Sequence, residues 1–274
     1  MGKPKVINWF YSGKCNLGCK FCYGKFNEDT LSLEEKKTII DKISDAGVEK
    51  LTITGGEPLL GENLLEIIEY ASEKNLFVSL HTNGILLDEK LIKALSKKVG
   101  RISLALDGAG NDVNLSMRGY ENYFDLVNDL LKLIKKYNVP VSVKTVASKK
   151  NIESIPDLIP ILAKYNPDIW LISEFRPERR GKEHQNEFLI INSEFKKLRE
   201  KCKGAPLRIG MRSIEDGLNR PFFFIDSNGK VLTDYRGEYT NVGSIFEEEV
   251  GSLWDKIVEL VPINDNYIKQ PVVK

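Results

Sequence analysis

The stretch VINWFYSGKCNLGCKFCYG, residues 6–24, runs from an apolar segment straight into three cysteines. Residues 6–12 have the apolar and β-branched content of a strand. Cys15, Cys19 and Cys22 follow in a C-x3-C-x2-C spacing with no fourth ligand nearby. With one further, distant thiol at Cys202 they do not make a disulfide framework, so the triplet reads as metal-binding or catalytic. A structural zinc site closes with four protein ligands, for which Cys202 or His184 would have to serve from a distance. A [4Fe–4S] cluster also takes four ligands. With only three from protein, one iron stays open to a small molecule, which is a catalytic feature.

Outward from this stretch, strand-like runs recur at 51–54, 77–82, 101–107, 141–146 and 169–175, separated by amphipathic stretches near 33–46, 62–74, 88–97, 121–137 and 153–164. Six βα-type units in a row predict parallel strands with right-handed crossovers. The expected fold class is α/β, a partial (β/α)6 TIM-type barrel, because eight units would be needed to close it. The character changes after residue 175. Residues 176–187 read as a polar, basic loop and 193–202 as a helix capped by Ser193. Residues 221–233 read as a hairpin turning at Asn228-Gly229, and 247–260 as a closing helix. The expected division is a barrel core at 1–175 and a short α+β C-terminal extension at 176–274 that covers its mouth.

Of 274 residues, 42% are hydrophobic, enough for a sizeable core, and 40 basic against 39 acidic residues leave a formal charge of +1. No global field points to nucleic acid or an anionic membrane. No apolar run approaches the roughly 20 residues of a membrane span, and the N-terminal residues lack a secretory segment. The expectation is a cytoplasmic protein with neither membrane nor nucleic acid as a partner.

In such a barrel, chemistry collects at the C-terminal ends of the strands. TGGEPLL (54–60) follows the second strand, HTNG (81–84) the third and LDG (106–108) the fourth. The paired glycines give a ligand access to the backbone with no Cβ in the way. Glu57 is placed to accept from an amine, and Pro58 fixes the turn.

Taken together, residues 6 to about 175 resemble the radical S-adenosylmethionine (SAM) enzymes, with Phe21 at the aromatic position of the cysteine signature and GGEP at 55–58. The resemblance implies that Cys15, Cys19 and Cys22 hold a [4Fe–4S] cluster whose open iron is chelated by the amino and carboxylate groups of SAM. Reductive cleavage would then give a 5′-deoxyadenosyl radical that abstracts a substrate hydrogen. It further implies a SAM pocket built from Gly55, Gly56, Glu57, Pro58, Asn83, Ser103, Asp107 and Arg118, with the backbone around Phe21 and Tyr23 meeting adenine. A guanidinium such as Arg118 suits a carboxylate. No catalytic residue is assigned beyond these two sites. A reducing partner such as flavodoxin or ferredoxin and sensitivity to oxygen follow from the same chemistry.

Two subfamilies compete for the substrate. Residues 223–254 resemble the C-terminal extension of peptide-modifying, SPASM-type enzymes, but Thr233 or Asp234 stands where an auxiliary-cluster cysteine is expected and no cysteine follows. An auxiliary cluster is therefore not expected. The order of elements is also similar to the viperin-like nucleotide dehydratases. Those carry a Lys-x-Asn pair on the fifth strand, where this chain has Ser142 and Lys144. Ser142, Lys144 and the basic residues Arg176, Arg179, Arg180 and Lys182 are the candidate substrate ligands, suited to a triphosphate. The expectation is a nucleotide or other small-molecule substrate. The alternatives are a peptide substrate and, from another class, a non-catalytic metal-binding protein.

Overall fold

Strand alternation lays down the sheet. In β1 (Val6–Ser12) the side chains of Ile7, Trp9 and Tyr11 are fully buried on one face, and Asn8, Phe10 and Ser12 take the other. The computed structural model describes residues 2–24, 30–217, 220–235, 237–261 and 272–273. The next units are α1 (Leu33–Asp45), β2 (Lys50–Gly55), α2 (Leu64–Glu73), β3 (Phe77–Thr82), α3 (Glu89–Leu95), β4 (Arg101–Ala105), α4 (Asn111–Arg118), α5 (Tyr123–Lys136), β5 (Val141–Ala147), α6 (Leu158–Ala163) and β6 (Ile169–Glu174). Helix α1 begins where the sequence can cap it. The Ser32 Oγ accepts from the Glu35 N–H at 3.3 Å, and the Glu35 carboxylate accepts from the Ser32 N–H at 2.8 Å, a reciprocal capping box.

Strands β1 to β6 are parallel neighbours in chain order, the expected partial barrel. The residues that follow add α7 (Arg179–Glu183), α8 (Gln185–Phe188), α9 (Asn192–Lys201), β7 (Ile209–Arg212), α10 (Ile214–Gly217), β8 (Phe223–Ile225), β9 (Lys230–Tyr235), β10 (Glu238–Ser244), α11 (Val250–Leu260) and β11 (Val272–Val273). Strand β7 continues the parallel series beside β6, and β8 joins in parallel on the far side of β1. Eight strands thus run parallel. The barrel stays open because the sheet order is β10-β9-β8-β1-β2-β3-β4-β5-β6-β7-β11, with β7 and β8 flanked by antiparallel neighbours instead of each other.

Three sequence expectations change here. The stretch 176–187 is not a plain loop but carries the short helices α7 and α8. Ser193 lies inside α9, whose start is held instead by the Glu194 carboxylate accepting from the Ile191 N–H at 2.8 Å. Helix α4 fills the stretch between the fourth strand and the 121–137 periodicity. The Asn228-Gly229 hairpin forms as expected, with Gly229 at φ +82°.

The outward face of the sheet, with Ile53, Val78, Leu80, Ile102, Leu104, Val143 and Trp170, packs on the helices as one buried core. The inward face is different. Register places Asn8 beside Thr52, Thr52 beside Ser79, and Ser103 between His81 and Ser142, so the interior of the barrel is lined by polar groups. That polarity is what the fold brings to a site.

Candidate active site

The cysteine loop leaves β1 and is clamped at once by the glycine turn after β2. The Gly56 N–H donates to the Ser12 carbonyl at 2.8 Å and the Glu57 N–H to the Lys14 carbonyl at 2.7 Å. Gly55 sits at φ +136°, and a Cβ there would lie 2.5 Å from the Ser12 carbonyl, while one on Gly56 would overlap the Lys14 carbonyl. The sequence reading gave these glycines the task of admitting a ligand. In the fold, the backbone that comes close is the chain's own cysteine loop.

Glu57 is fully buried. One carboxylate oxygen accepts from the Thr82 hydroxyl at 2.7 Å and the Leu59 N–H at 3.1 Å, the other from the Asn83 N–H at 2.8 Å. Burial pushes its pKa up, and these three donors pull against it. Glu57 therefore ties the end of β3 to the 3-10 turn at Pro58–Leu60. The Asn83 side chain carries the link onward, its amide donating to the Asn16 oxygen at 2.7 Å inside the cysteine loop. GGEP and HTN together form a bracket around the segment that positions Cys15.

Cys15 is exposed, Cys19 buried and Cys22 half-buried. Burial pushes the Cys19 thiol up to about 11, with Arg118 opposing and Cys22, Asp107 and Cys15 adding to the rise. Three mutually repelling thiolates are costly until they share a cation, so the donor set suits a metal centre. Among the described residues no three His, Cys, Asp or Glu side chains converge on one ion, as a mononuclear zinc site requires.

Arg118, at the end of α4, is buried over the rings of Phe21 and Tyr123, 5.5 and 5.2 Å from their centroids. Its Nη2 lies 2.7 Å from an Asp107 carboxylate oxygen, and its carbonyl faces the Cys19 sulfur at 3.9 Å. Burial opposes the charge, but Asp107, Tyr123 and Cys19 together outweigh it and hold the guanidinium protonated. Asp107 is itself fastened, accepting from the Val146 N–H at 2.9 Å and donating its own N–H to Asn114 at 3.0 Å. The Arg118 Nε is buried with no hydrogen-bond partner among the described residues. A buried guanidinium with a spare donor beside the cysteine loop fits a carboxylate-bearing cofactor such as SAM.

Deeper in the barrel the Ser103 and Ser142 hydroxyls meet at 2.5 Å. Lys144 turns inward and its Nζ reaches the His81 Nδ1 at 2.9 Å, two strands away, across the small Ala105 of β4. Burial, with Arg212, Lys50 and Arg101 adding, pulls Lys144 down to about 7. Burial and the same cations, Lys144 foremost, hold His81 well below its ordinary value. The interior is short of negative charge: Arg101 has Asp168 at 3.1 Å and Arg212 feels the Asp216 carboxylate, but Lys144 has no carboxylate partner among the described residues. His81 and Arg212 were not picked out from the sequence. The signal available was the period-2 alternation that puts them in phase with Ser79 and Gly210.

The basic residues of 176–187 are not brought together into one cradle. Arg176 is neutralised by Glu178 at 2.5 Å and Asp234 at 2.6 Å. Arg179 lies over the Tyr239 ring at 4.4 Å, Arg180 lines a cavity with it, and Lys182 is exposed. Burial pushes Glu178 up to about 7, with Arg176 opposing and Asp234 adding. The Gly181 N–H donates to the Cys22 carbonyl at 3.2 Å, which docks α7 on the cysteine loop. Tyr23 is 39% exposed as a residue, although its hydroxyl is buried against Thr54.

The model of the radical SAM superfamily matches residues 9–159, more than half of the chain, and the chain belongs to that superfamily. Its members are enzymes built around a [4Fe–4S] cluster and SAM. An AdoMet-dependent heme synthase of Methanosarcina barkeri is 29% identical over 185 residues, 66% of this chain but only 53% of that protein's length. An S-adenosylmethionine-dependent nucleotide dehydratase of Selenomonas ruminantium is 25% identical over 259 residues, 91% of this chain and 93% of that one. In fold, the chain is similar to Streptococcus suis SuiB bound to SAM, with a TM-score of 0.75 and 18% identity over 97% of this chain and 67% of SuiB. No described helix is long and apolar enough to cross a membrane.

Proposed function

We propose that this radical SAM enzyme acts on a nucleotide or another small phosphorylated molecule whose anionic part enters the barrel. The carrying observation is the interior itself, where Lys144 meets His81 and lies in the field of Arg212, Lys50 and Arg101, with no carboxylate on Lys144 among the described residues. A polyanion supplies the missing charge. The near end-to-end likeness to a nucleotide dehydratase supports the same class.

In this proposal Cys15, Cys19 and Cys22 hold the cluster, and the Arg118 guanidinium receives the SAM carboxylate. Gly55, Gly56, Glu57, Pro58, Asn83, Ser103 and Asp107 keep the pocket in shape. When bound, the cluster and SAM supply one-electron, hydrogen-abstracting chemistry. The chain's own share is to hold the substrate C–H in line with it and to exclude water. Phe21 and Tyr23 close the cysteine-loop side, and the C-terminal extension that begins at residue 176 covers the mouth. A flavodoxin or ferredoxin reductant and a cytoplasmic setting complete the proposal.

A peptide substrate is the second reading. It is favoured by the hairpin β8–β9 and strand β10, which follow the extension of the peptide-modifying enzymes without their cysteines. Anaerobic turnover with SAM, reductant and a panel of nucleoside triphosphates separates the two. 5′-Deoxyadenosine rising with one nucleotide, alongside a mass-shifted product, is the expected result. A flat basal level across the panel removes the nucleotide reading and leaves the peptide one.

A further inference from the structure

We propose that the cavity beside the cysteine loop is a second substrate subsite, one that takes the planar heterocyclic base of a nucleotide against the ring of Tyr239. This rests on the nucleotide reading above and adds a place for the base.

The inward face of the barrel does not stop at β1. Register carries it from Asn8 to Phe224, from Phe224 to Leu232 and from Leu232 to Asn241, so β9 and β10 extend the same face of the sheet. A cavity of about 840 Å³ lies against this extension, bounded by Phe10, Gly24, Arg179, Arg180 and Tyr239. That is the size of a small-molecule site. It abuts the cysteine loop, because Gly24 both lines it and donates its N–H to the Cys22 sulfur at 3.2 Å.

The wall is aromatic and oriented. Tyr239 is met edge-on by Phe10 at 5.9 Å and 68° and by Phe224 at 5.3 Å and 62°, which sets the plane of its ring. Tyr23 runs nearly parallel to it, 6.5 Å away and tilted by 19°. The guanidinium of Arg179 lies over the Tyr239 ring at 4.4 Å, so a planar group already covers this face, and a base stacks there by taking the place of Arg179. Arg179 makes that contact from a left-handed backbone, φ +44°, an uncommon conformation for a residue with a Cβ and one that collects at ligand clamps. Arg180 and Lys230 add positive charge to the same cavity, and Glu183 and Asp226 add negative charge, so its lining is mixed in sign. Stacking on an aromatic side chain is tolerant of base identity and adds roughly 5- to 150-fold in affinity.

The test is calorimetric binding to the anaerobically reconstituted enzyme, without reductant, of the four nucleoside triphosphates, inorganic tripolyphosphate and uridine. The expected result is that at least one nucleotide binds about tenfold or more tightly than tripolyphosphate. Tyr239→Leu should abolish that preference while tripolyphosphate binds as before, and Tyr239→Phe should keep it. Unchanged tripolyphosphate binding also shows that the leucine variant is folded. Nucleotides binding no better than tripolyphosphate, or a preference that survives Tyr239→Leu, overturns the subsite and leaves the anion-binding interior standing. Uridine binding that depends on Tyr239, with no tripolyphosphate binding, keeps the subsite and removes the phosphate reading. Binding of none of these probes removes both.

Discussion

Arg118 and Asp107 form a buried ion pair at 2.7 Å, with the guanidinium held over the rings of Phe21 and Tyr123. The pair joins the end of α4 to the segment after β4, next to the cysteine loop. Breaking a buried pair from one side leaves an uncompensated charge. Asp107→Asn is therefore expected to cost about 3–5 kcal/mol in denaturant unfolding and to weaken SAM binding in equilibrium dialysis. An unfolding midpoint equal to that of the parent would show that Arg118 does not depend on this carboxylate.

Two glycines should respond to alanine for different reasons. At Gly56 a Cβ runs into the Lys14 carbonyl, so Gly56→Ala displaces the cysteine loop and is expected to cost about 2 kcal/mol or more. Iron bound per chain after reconstitution should fall with it. At Gly119, φ +69° with open space around it, alanine meets only backbone strain of about 1–2 kcal/mol, and iron content should hold. Equal iron loading in both variants would contradict the clamp.

Lys144 gives a pH dependence whose sign follows from its lowered pKa. Folding takes it from an ordinary 10.5 to about 7. Between those values the unfolded chain keeps a proton that the folded chain has lost, so stability rises with pH across the window. Below about 7 both states are protonated and the penalty is present in full. Lys144→Met should thus be more stable than the parent at pH 7, by a gain on the order of 1–3 kcal/mol, and the gain should shrink as pH climbs toward 10. Thermal melts at several pH values read this directly. A difference that stays constant with pH would mean that Lys144 titrates normally in the fold.

Tyr123 separates hydrogen bonding from ring contact. Its hydroxyl donates to the Asn83 carbonyl at 2.6 Å and the Ala105 carbonyl at 3.2 Å, and its ring lies beside Arg118. Tyr123→Phe keeps the ring and leaves buried carbonyls unpaired, with an expected loss of about 1–2 kcal/mol and SAM affinity nearly unchanged. Tyr123→Ala should lose both. SAM affinity that collapses in the phenylalanine variant would place the hydroxyl, and not the ring, in support of Arg118.

Much of the barrel was legible because its elements are locally encoded. Strands at 6–12 and 77–82 were read to the residue, and α1 within one, since alternation and amphipathic periodicity are short-range signals. Helix α4 escaped because NDVNLSMR carries few apolar residues and derives its order from burying Asn114, Met117 and Arg118. Strand β10 escaped because EYTNVGS is a polar edge strand that exists through its pairing with β9. The short helices α7 and α8 escaped for a similar reason, their apolar anchor being the single buried Phe188 at the end of a long polar run.

The sequence by itself determined the cysteine triplet, the glycine turn, the strand alternation and, through them, the superfamily. These are contiguous patterns, and a motif of a few residues carries its own geometry. Only the tertiary structure decided that Glu57 braces β3, that the glycines clamp the cysteine loop, that Lys144 meets His81 and that Tyr239 faces Arg179. Periodicity says which face of a strand a side chain takes. It does not say which side chain from another strand will share that space, because register and crossovers set that only when the whole sheet assembles.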